Sequence, residues 1–181
     1  IVNKAYYICG THWDREWYLP FQEFRLKLVL LIDSLLEILE KEPDYKYFML
    51  DGQTIVLDDY LALRPGNAQK LTAYIRSGRI LIGPWHILPD EFLVSPEATI
   101  RNLLQGERTC LAYGAKMPVG YIPDPFGHIG QMPQILRGFE LDQLISRMRE
   151  GIPQLQRALD EAPDTREQLG NTGRPLGLRK L

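Results

Sequence analysis

Hydrophobic and polar positions along the chain predict strands and helices in alternation. The segment 4–10 (KAYYICG) is rich in aromatic and β-branched residues, as in a strand, and hydrophobic residues then recur at helical spacing through 21–41. Further strands are predicted at 46–50, 79–85, 118–124 and 141–147, and further helices at 54–63, 67–77, 96–113 and 131–138. Ser95 and Pro96 provide an N-cap and a first helical residue for the helix 96–113. This alternation predicts an α/β protein with a parallel sheet, either a β/α barrel or a doubly wound sheet.

Composition excludes several classes of protein. The chain has 181 residues, of which 45% are hydrophobic and 24% charged, as expected for one globular domain. The formal net charge is −2, so we expect no nucleic-acid partner. The most apolar run, LVLLIDSLLEIL, is interrupted by Asp33 and Glu37, so we expect no membrane segment. Cys9 and Cys110 lie in different predicted elements and indicate reduced thiols, which favours a cytoplasmic location.

Ionisable side chains follow four of the predicted strands at the point where each strand ends. They are His12 and Asp14 after the first strand, Asp51 after the second, Asp90 and Glu91 after the third, and Asp124 and His128 after the fourth. In parallel β/α folds, the loops at these ends converge on the active site. Such loops are polar in any case, and aspartate is also a common helix cap, so a structural role is the alternative for each residue.

The segment CGTHWDREWY contains the most concentrated candidate chemistry. In an extended chain, His12 and Asp14 point to the same side, which places an imidazole beside a carboxylate. Such a pair can bind zinc or another divalent first-row ion, whereas three histidines and two separated cysteines exclude a zinc-finger type of site. Trp17 offers a flat apolar face of the kind that holds sugar rings, and a place in the core is the alternative.

Four segments together resemble a known family. GTHWDREWY, LDGQT, GPWHILPDEFLVSPEATIRNLLQGER and GYIPDPFGHIGQMPQIL are similar to the N-terminal catalytic domain of family 38 glycoside hydrolases of the bacterial type, which are retaining, zinc-dependent α-mannosidases. The resemblance covers residues 4–148. It implies that 1–148 is the N-terminal part of a seven-stranded β/α barrel, present as an arc of about five parallel strands.

The resemblance also implies roles for individual residues. His12, Asp14 and Asp90 match ligands of one Zn2+ ion, and Asp90 matches the catalytic nucleophile that forms a glycosyl-enzyme. Trp17 matches an aromatic that lines the sugar site, and Arg108 matches an arginine that hydrogen-bonds the nucleophile. Asp51, Asp124 and His128, which follow the predicted strand ends, complete the predicted substrate-binding set for an α-mannoside.

The family pattern stops near residue 147. The tail 149–181 is predicted to be a short helix at 152–161 followed by loosely ordered residues, and it contains no histidine and no acid/base motif. The acid/base residue and the fourth zinc ligand are therefore expected beyond this chain. We expect the 181-residue chain alone to have little or no α-mannosidase activity, and the full-length enzyme is a possible homo-oligomer.

Two other functions remain open from the sequence. A metal-dependent polysaccharide deacetylase also uses histidine and aspartate ligands on a β/α barrel, but it is expected to carry a paired-histidine motif, which this sequence lacks. A non-catalytic carbohydrate-binding remnant is favoured by the missing ligand and the missing acid.

Overall fold

The computed structural model describes residues 7–146. Its elements, in chain order, are β1 (Cys9–Thr11), α1 (Phe21–Lys41), β2 (Phe48–Leu50), α2 (Ile55–Leu61), a 3-10 turn (Pro65–Asn67), α3 (Ala68–Arg76), β3 (Ile80–Leu81), α4 (Pro96–Tyr113), β4 (Gly120–Ile122), α5 (Met132–Gly138) and β5 (Leu144–Ser146). The predicted alternation of strands and helices is confirmed, and the strands are shorter than predicted. Residues 4–6 and 147 of the predicted strands, and the predicted tail 149–181 with its helix 152–161, lie outside the described residues.

All the strand pairs in the described residues are parallel, but they form two sheets. One sheet has the order β1-β2-β3, with Cys9 opposite Phe48 and Phe48 opposite Ile80, and the other pairs β4 with β5. The ladder between β2 and β3 ends with Met49 opposite Leu81, and one isolated parallel bridge follows between Gln53 and Trp85. Five parallel strands are thus present as predicted, while a continuous barrel wall is not seen.

Apolar side chains form two cores, one for each sheet. The larger core places the buried face of α1 against α2, α3 and the three-stranded sheet, and it contains Phe24, Leu28, Val29, Ile32, Leu35, Leu36, Leu39, Leu50, Val56, Leu57, Tyr60, Leu71, Ile75, Ile80 and Ile82. The smaller core lies between α4, α5 and β4, and it contains Trp85, Leu103, Ile122, Met132, Leu136 and Leu141. Each fully buried leucine or isoleucine contributes about 1.5–3 kcal/mol to stability. Within residues 7–146, each helix is too short or too polar to cross a lipid bilayer.

Helix α4 begins and ends at well-formed caps. The Ser95 hydroxyl accepts a hydrogen bond from the Ala98 N–H at 3.2 Å, and Pro96 occupies the first helical position, as predicted. Gly114 ends the helix with φ of 100°, a conformation that favours glycine. The start of α4 is therefore fixed directly after the loop that carries Asp90.

Helix α4 approaches the backbone before Asp90 very closely at Gly106. A Cβ atom on this buried glycine would overlap the Pro84 carbonyl oxygen and the backbone of Trp85. We expect Gly106→Ala to lower the free energy of unfolding by about 1–3 kcal/mol in urea titration, because backbone atoms cannot move aside as a side chain can. Gly138→Ala is the matched control, since a Cβ there meets no described atom within 4 Å. Equal unfolding midpoints for the two variants would contradict this packing.

The two cysteines are free thiols in different environments. Cys110 is fully buried in the larger core, and burial raises the pKa of its thiol to about 12, whereas Cys9 is partly exposed in β1. We expect a thiol-alkylating reagent at pH 8 to modify native Cys110 at least about 100-fold more slowly than the unfolded chain, because the reactive form is the thiolate. Peptide mass spectrometry measures the two sites separately. Rapid labelling of Cys110 in the folded chain would show that α4 does not pack as described.

Candidate active site

A cleft of about 550 Å³ opens at the carboxyl ends of the strands. Its walls come from residues 12–17 after β1, Gln53 after β2, residues 87–90 after β3 and residues 122–126 around the end of β4. The structure thereby brings together five of the residues that the sequence indicates, namely His12, Asp14, Trp17, Asp90 and Asp124. The expected convergence of strand-end loops is seen in this cleft, across both sheets.

His12 is held between a buried carboxylate on one side and two cleft carboxylates on the other. Its Nδ1 lies 3.1 Å from Asp51 Oδ2, while its Nε2 lies 3.7 Å from Asp14 Oδ2 and 3.4 Å from Asp124 Oδ2. The side chains of Asp14 and Asp124 are about half exposed. The imidazole and the Asp14 carboxylate therefore lie side by side, as their i, i+2 spacing predicts, and Nε2 is the ring nitrogen that faces the cleft carboxylates.

Asp51 lies behind His12 and is fully buried. Its Oδ2 accepts hydrogen bonds from the Trp13 N–H at 2.6 Å and from Gln53 Nε2 at 3.2 Å, and Gln53 Nε2 also donates to the Trp13 carbonyl at 2.7 Å. Burial raises the pKa of the Asp51 carboxyl, and the donors from Trp13, His12 and Gln53 offset part of that effect. Asp51 contacts His12 and does not line the cleft, so its contact with substrate stays a prediction that its buried position does not favour.

Asp90 lines the cleft, and one of its two carboxylate oxygens is unsatisfied. Its Oδ1 is buried and has no hydrogen-bond partner among residues 7–146, and its carbonyl accepts the Leu93 N–H at 2.9 Å in a tight turn. An unpaired buried polar atom costs about 1–3 kcal/mol. A cation or a hydrogen-bond donor that reached this oxygen would remove that cost, and Asp51 Oδ1 is the other buried carboxylate oxygen without a partner among residues 7–146.

The segment 12–17, which forms the first wall of the cleft, is held to helix α2 by Arg15. Arg15 makes a two-point ion pair with the carboxylate of Asp59 in α2, at 2.7 and 2.9 Å, and its guanidinium lies 4.4 Å from the centre of the Phe21 ring. The hydrogen bond to Asp59 raises the pKa of Arg15. Trp17 is 71% exposed at the cleft, so it is not a core residue, and the described surface leaves its ring free for a ligand.

Arg108 and His128 are not brought to the cleft. Arg108 is exposed in the second half of α4, well past the helix end that adjoins the Asp90 loop, and Asp90 Oδ1 accepts no hydrogen bond from it. The His128 side chain is only 7% exposed, and its Nδ1 lies 2.8 Å from Glu91 Oε1. Substrate contacts by these two residues stay predictions, and the described side-chain positions do not favour them.

Comparison with known sequences identifies the family. A sequence model described as "Glycosyl hydrolases family 38 N-terminal domain" matches residues 3–149. The chain belongs to this family. A relative from Halalkalibacterium halodurans named "Putative mannosylglycerate hydrolase" is 49% identical over 74% of this chain and 15% of its own length, and "Alpha-mannosidase" from Saccharomyces cerevisiae is 27% identical over 81% of this chain and 14% of its own length.

A solved structure of a family 38 relative supports the same assignment. The crystal structure of an alpha-mannosidase from Enterococcus faecalis V583 is 42% identical in sequence and superposes with a TM-score of 0.76, covering 77% of this chain and 16% of that chain. This family 38 chain thus matches only about a seventh of the length of these relatives. Membership in a glycosyl hydrolase family favours the glycosidase interpretation over the deacetylase.

The donor chemistry of the family 38 cleft fits a zinc ion. One imidazole nitrogen, two half-exposed carboxylates and the unpaired Oδ1 of Asp90 form a mixed nitrogen and oxygen set. Within residues 7–146, no three histidine, cysteine or carboxylate side chains are grouped closely enough to hold a metal ion in the arrangement described. The contact from Asp51 to His12 Nδ1 has the form of the carboxylate–histidine pairs that support zinc sites.

Sequence reasoning missed Gln53, which lines the cleft and ties Asp51 to the Trp13 backbone. A signal existed, because Gln53 lies inside the LDGQT segment. Glu91, which the sequence places with Asp90 after the third strand, contacts His128.

Proposed function

We propose that this chain forms the nucleophile side of the active site of a retaining, zinc-dependent α-mannosidase. The observation that carries the proposal is one cleft that joins the unpaired Asp90 carboxylate to His12, Asp14 and Trp17. Relatives named as alpha-mannosidases support mannosides as the substrate class. We further propose that the two small parallel sheets are parts of the wall of a seven-stranded β/α barrel.

In the proposed reaction, Asp90 attacks the anomeric carbon of a terminal α-mannoside. The bond from an Asp90 oxygen to that carbon forms as the bond to the leaving oxygen breaks, and an acid residue supplies the proton to the leaving group. Water then cleaves the glycosyl-enzyme, with the same residue acting as base. In retaining enzymes this second carboxyl group lies about 5 Å from the nucleophile. We expect it to come from outside the described residues.

Three side chains would hold the zinc ion, namely His12 through Nε2, Asp14 and Asp90. When bound, the ion supplies positive charge that favours the ionised nucleophile and a point of attachment for sugar hydroxyls. Asp51 keeps His12 Nδ1 occupied, which leaves Nε2 directed at the cleft. Trp17 offers its exposed ring to the apolar face of the sugar.

Hydrolysis of a chromogenic α-mannoside tests the proposal. The 181-residue chain and the complete gene product are assayed with added zinc and after treatment with a chelator. We expect zinc-dependent hydrolysis by the gene product, and little or none by the isolated chain because it lacks the acid/base residue. Hydrolysis that a chelator leaves unchanged would refute the metal requirement. Binding of α-mannosides without hydrolysis by the gene product would favour a carbohydrate-binding remnant, and release of acetate from an acetylated polysaccharide would favour the deacetylase.

A further inference from the structure

The loops that carry Asp90 and Asp124 are joined by a buried contact between Glu91 and His128. Glu91 directly follows Asp90, and its Oε1 lies 2.8 Å from Nδ1 of His128. Its Oε2 accepts the backbone N–H of Ile129, also at 2.8 Å. The Glu91 side chain is fully buried and that of His128 is 7% exposed. Both oxygens of this carboxylate therefore bind the loop that follows β4.

A second contact lies beside the first on the same two loops. Gly127 has φ of 128°, and a Cβ atom there would overlap the ring of Phe92. Phe92 therefore packs directly against the Gly127 backbone, which only a glycine in this conformation allows. The segments 90–92 and 124–129 are therefore joined by two adjacent contacts, Glu91 with His128 and Phe92 with Gly127.

This contact joins two parts of the protein that no strand ladder connects. Strand β3 belongs to the three-stranded sheet and β4 to the two-stranded sheet, and the backbone hydrogen bond between their neighbourhoods, from the Met117 N–H to the Ile82 carbonyl at 2.9 Å, lies before β4 and not in the two loops. Trp85 Nε1 donates to the Tyr121 carbonyl at 2.9 Å across the same gap, but that bond reaches β4 itself rather than the loop beyond it. Hydrogen bonds to a buried carboxylate are short and directional, so they can fix the relative position of the loops that carry Asp90 and Asp124.

We propose that Glu91 and His128 are positioning residues that hold Asp90 in place for attack on the sugar. The inference rests on the proposed function, because it takes Asp90 as the nucleophile. It gives His128 a role behind the cleft, where the sequence predicts a contact with substrate. Displacement of a reacting group by 1 Å can lower a rate about 100-fold, so a contact one residue away from the nucleophile matters for catalysis.

Hydrogen exchange on the 181-residue chain tests the contact without any need for activity. His128→Ala removes the donor to Glu91, whereas His128→Asn keeps an N–H donor close to the position of Nδ1. We expect amide exchange in peptides that cover 86–94 and 122–131 to rise at least about 10-fold in the alanine variant, and to stay near wild type in the asparagine variant. Wild-type protection in His128→Ala would overturn the proposed contact.

Kinetics on the complete gene product test the catalytic consequence. We expect His128→Ala to lower kcat about 10–100-fold with little change in KM, and His128→Asn to recover most of that loss. A raised KM with unchanged kcat would mean that His128 contacts substrate, and would overturn the positioning role. If the wild-type gene product has no α-mannosidase activity, the proposed function fails and the catalytic part of this inference fails with it, while the exchange result decides the loop contact separately.

Discussion

Asp90→Asn will lower kcat for α-mannoside hydrolysis by the complete gene product by at least about 10³-fold, because an amide cannot form the ester to the sugar that a retaining glycosidase requires. The substitution is isosteric, and Asp90 Oδ1 has no hydrogen-bond partner among residues 7–146 that the change would break. We therefore expect the unfolding midpoint to stay close to wild type. Steady-state assays at saturating zinc measure the effect on kcat.

The matched control for this loss is Asp44→Asn. The Asp44 side chain is fully exposed and lies 3.5 Å from Lys46, away from the cleft. The Asp44→Asn substitution removes one negative charge, as Asp90→Asn does, so it measures any general effect of losing a carboxylate on kcat. Activity of Asp90→Asn within 10-fold of this control would exclude Asp90 as the nucleophile and would direct attention to Asp124.

Asp51→Asn will weaken zinc binding by the 181-residue chain about 10–100-fold, even though Asp51 does not line the cleft. The Asp51 Oδ2 atom lies 3.1 Å from His12 Nδ1 and accepts the Trp13 N–H, so a neutral amide at this position leaves the imidazole less firmly oriented. Competition against a chromogenic chelator measures the affinity, and circular dichroism during heating measures stability in parallel.

Asp44→Asn again serves as the control for Asp51→Asn, because it removes one negative charge far from His12. The expected pattern is weaker zinc binding in the Asp51 variant and unchanged binding in the Asp44 variant. Zinc affinity equal to wild type in Asp51→Asn, together with a lower melting temperature, would show that Asp51 supports the fold and not the metal site.

The long helices could be predicted from the sequence because local information specifies them. The bounds of α1 and α4 agree with prediction at both ends, since an extended apolar face and, for α4, a serine cap and proline start are encoded within a few residues. Strand pairing is non-local by contrast, because it depends on how distant segments of the chain pack around the two cores. The sequence therefore predicts five parallel strands but not their division into two sheets.

The candidate site shows the same division between local and non-local information. The proximity of His12 and Asp14 follows from their spacing, and the position of Asp90 and Asp124 at one cleft follows from the geometry of parallel strands. Which polar side chains become buried partners is decided by packing across the chain. Asp51 and His128 therefore look like cleft residues in the sequence, while the structure places both in contact with another polar side chain behind the cleft.

Trapping of the glycosyl-enzyme tests the central claim most directly. A mannosyl fluoride with a second fluorine on the sugar ring reacts through its good leaving group but is released slowly, because the fluorine destabilises positive charge at the anomeric carbon in the second step. After incubation with the complete gene product and zinc, proteolysis and mass spectrometry locate the label. A mannosyl label on the peptide that contains Asp90, absent in Asp90→Asn, is the predicted result. A label on the peptide that contains Asp124, or turnover with inversion and no labelled peptide, would contradict it.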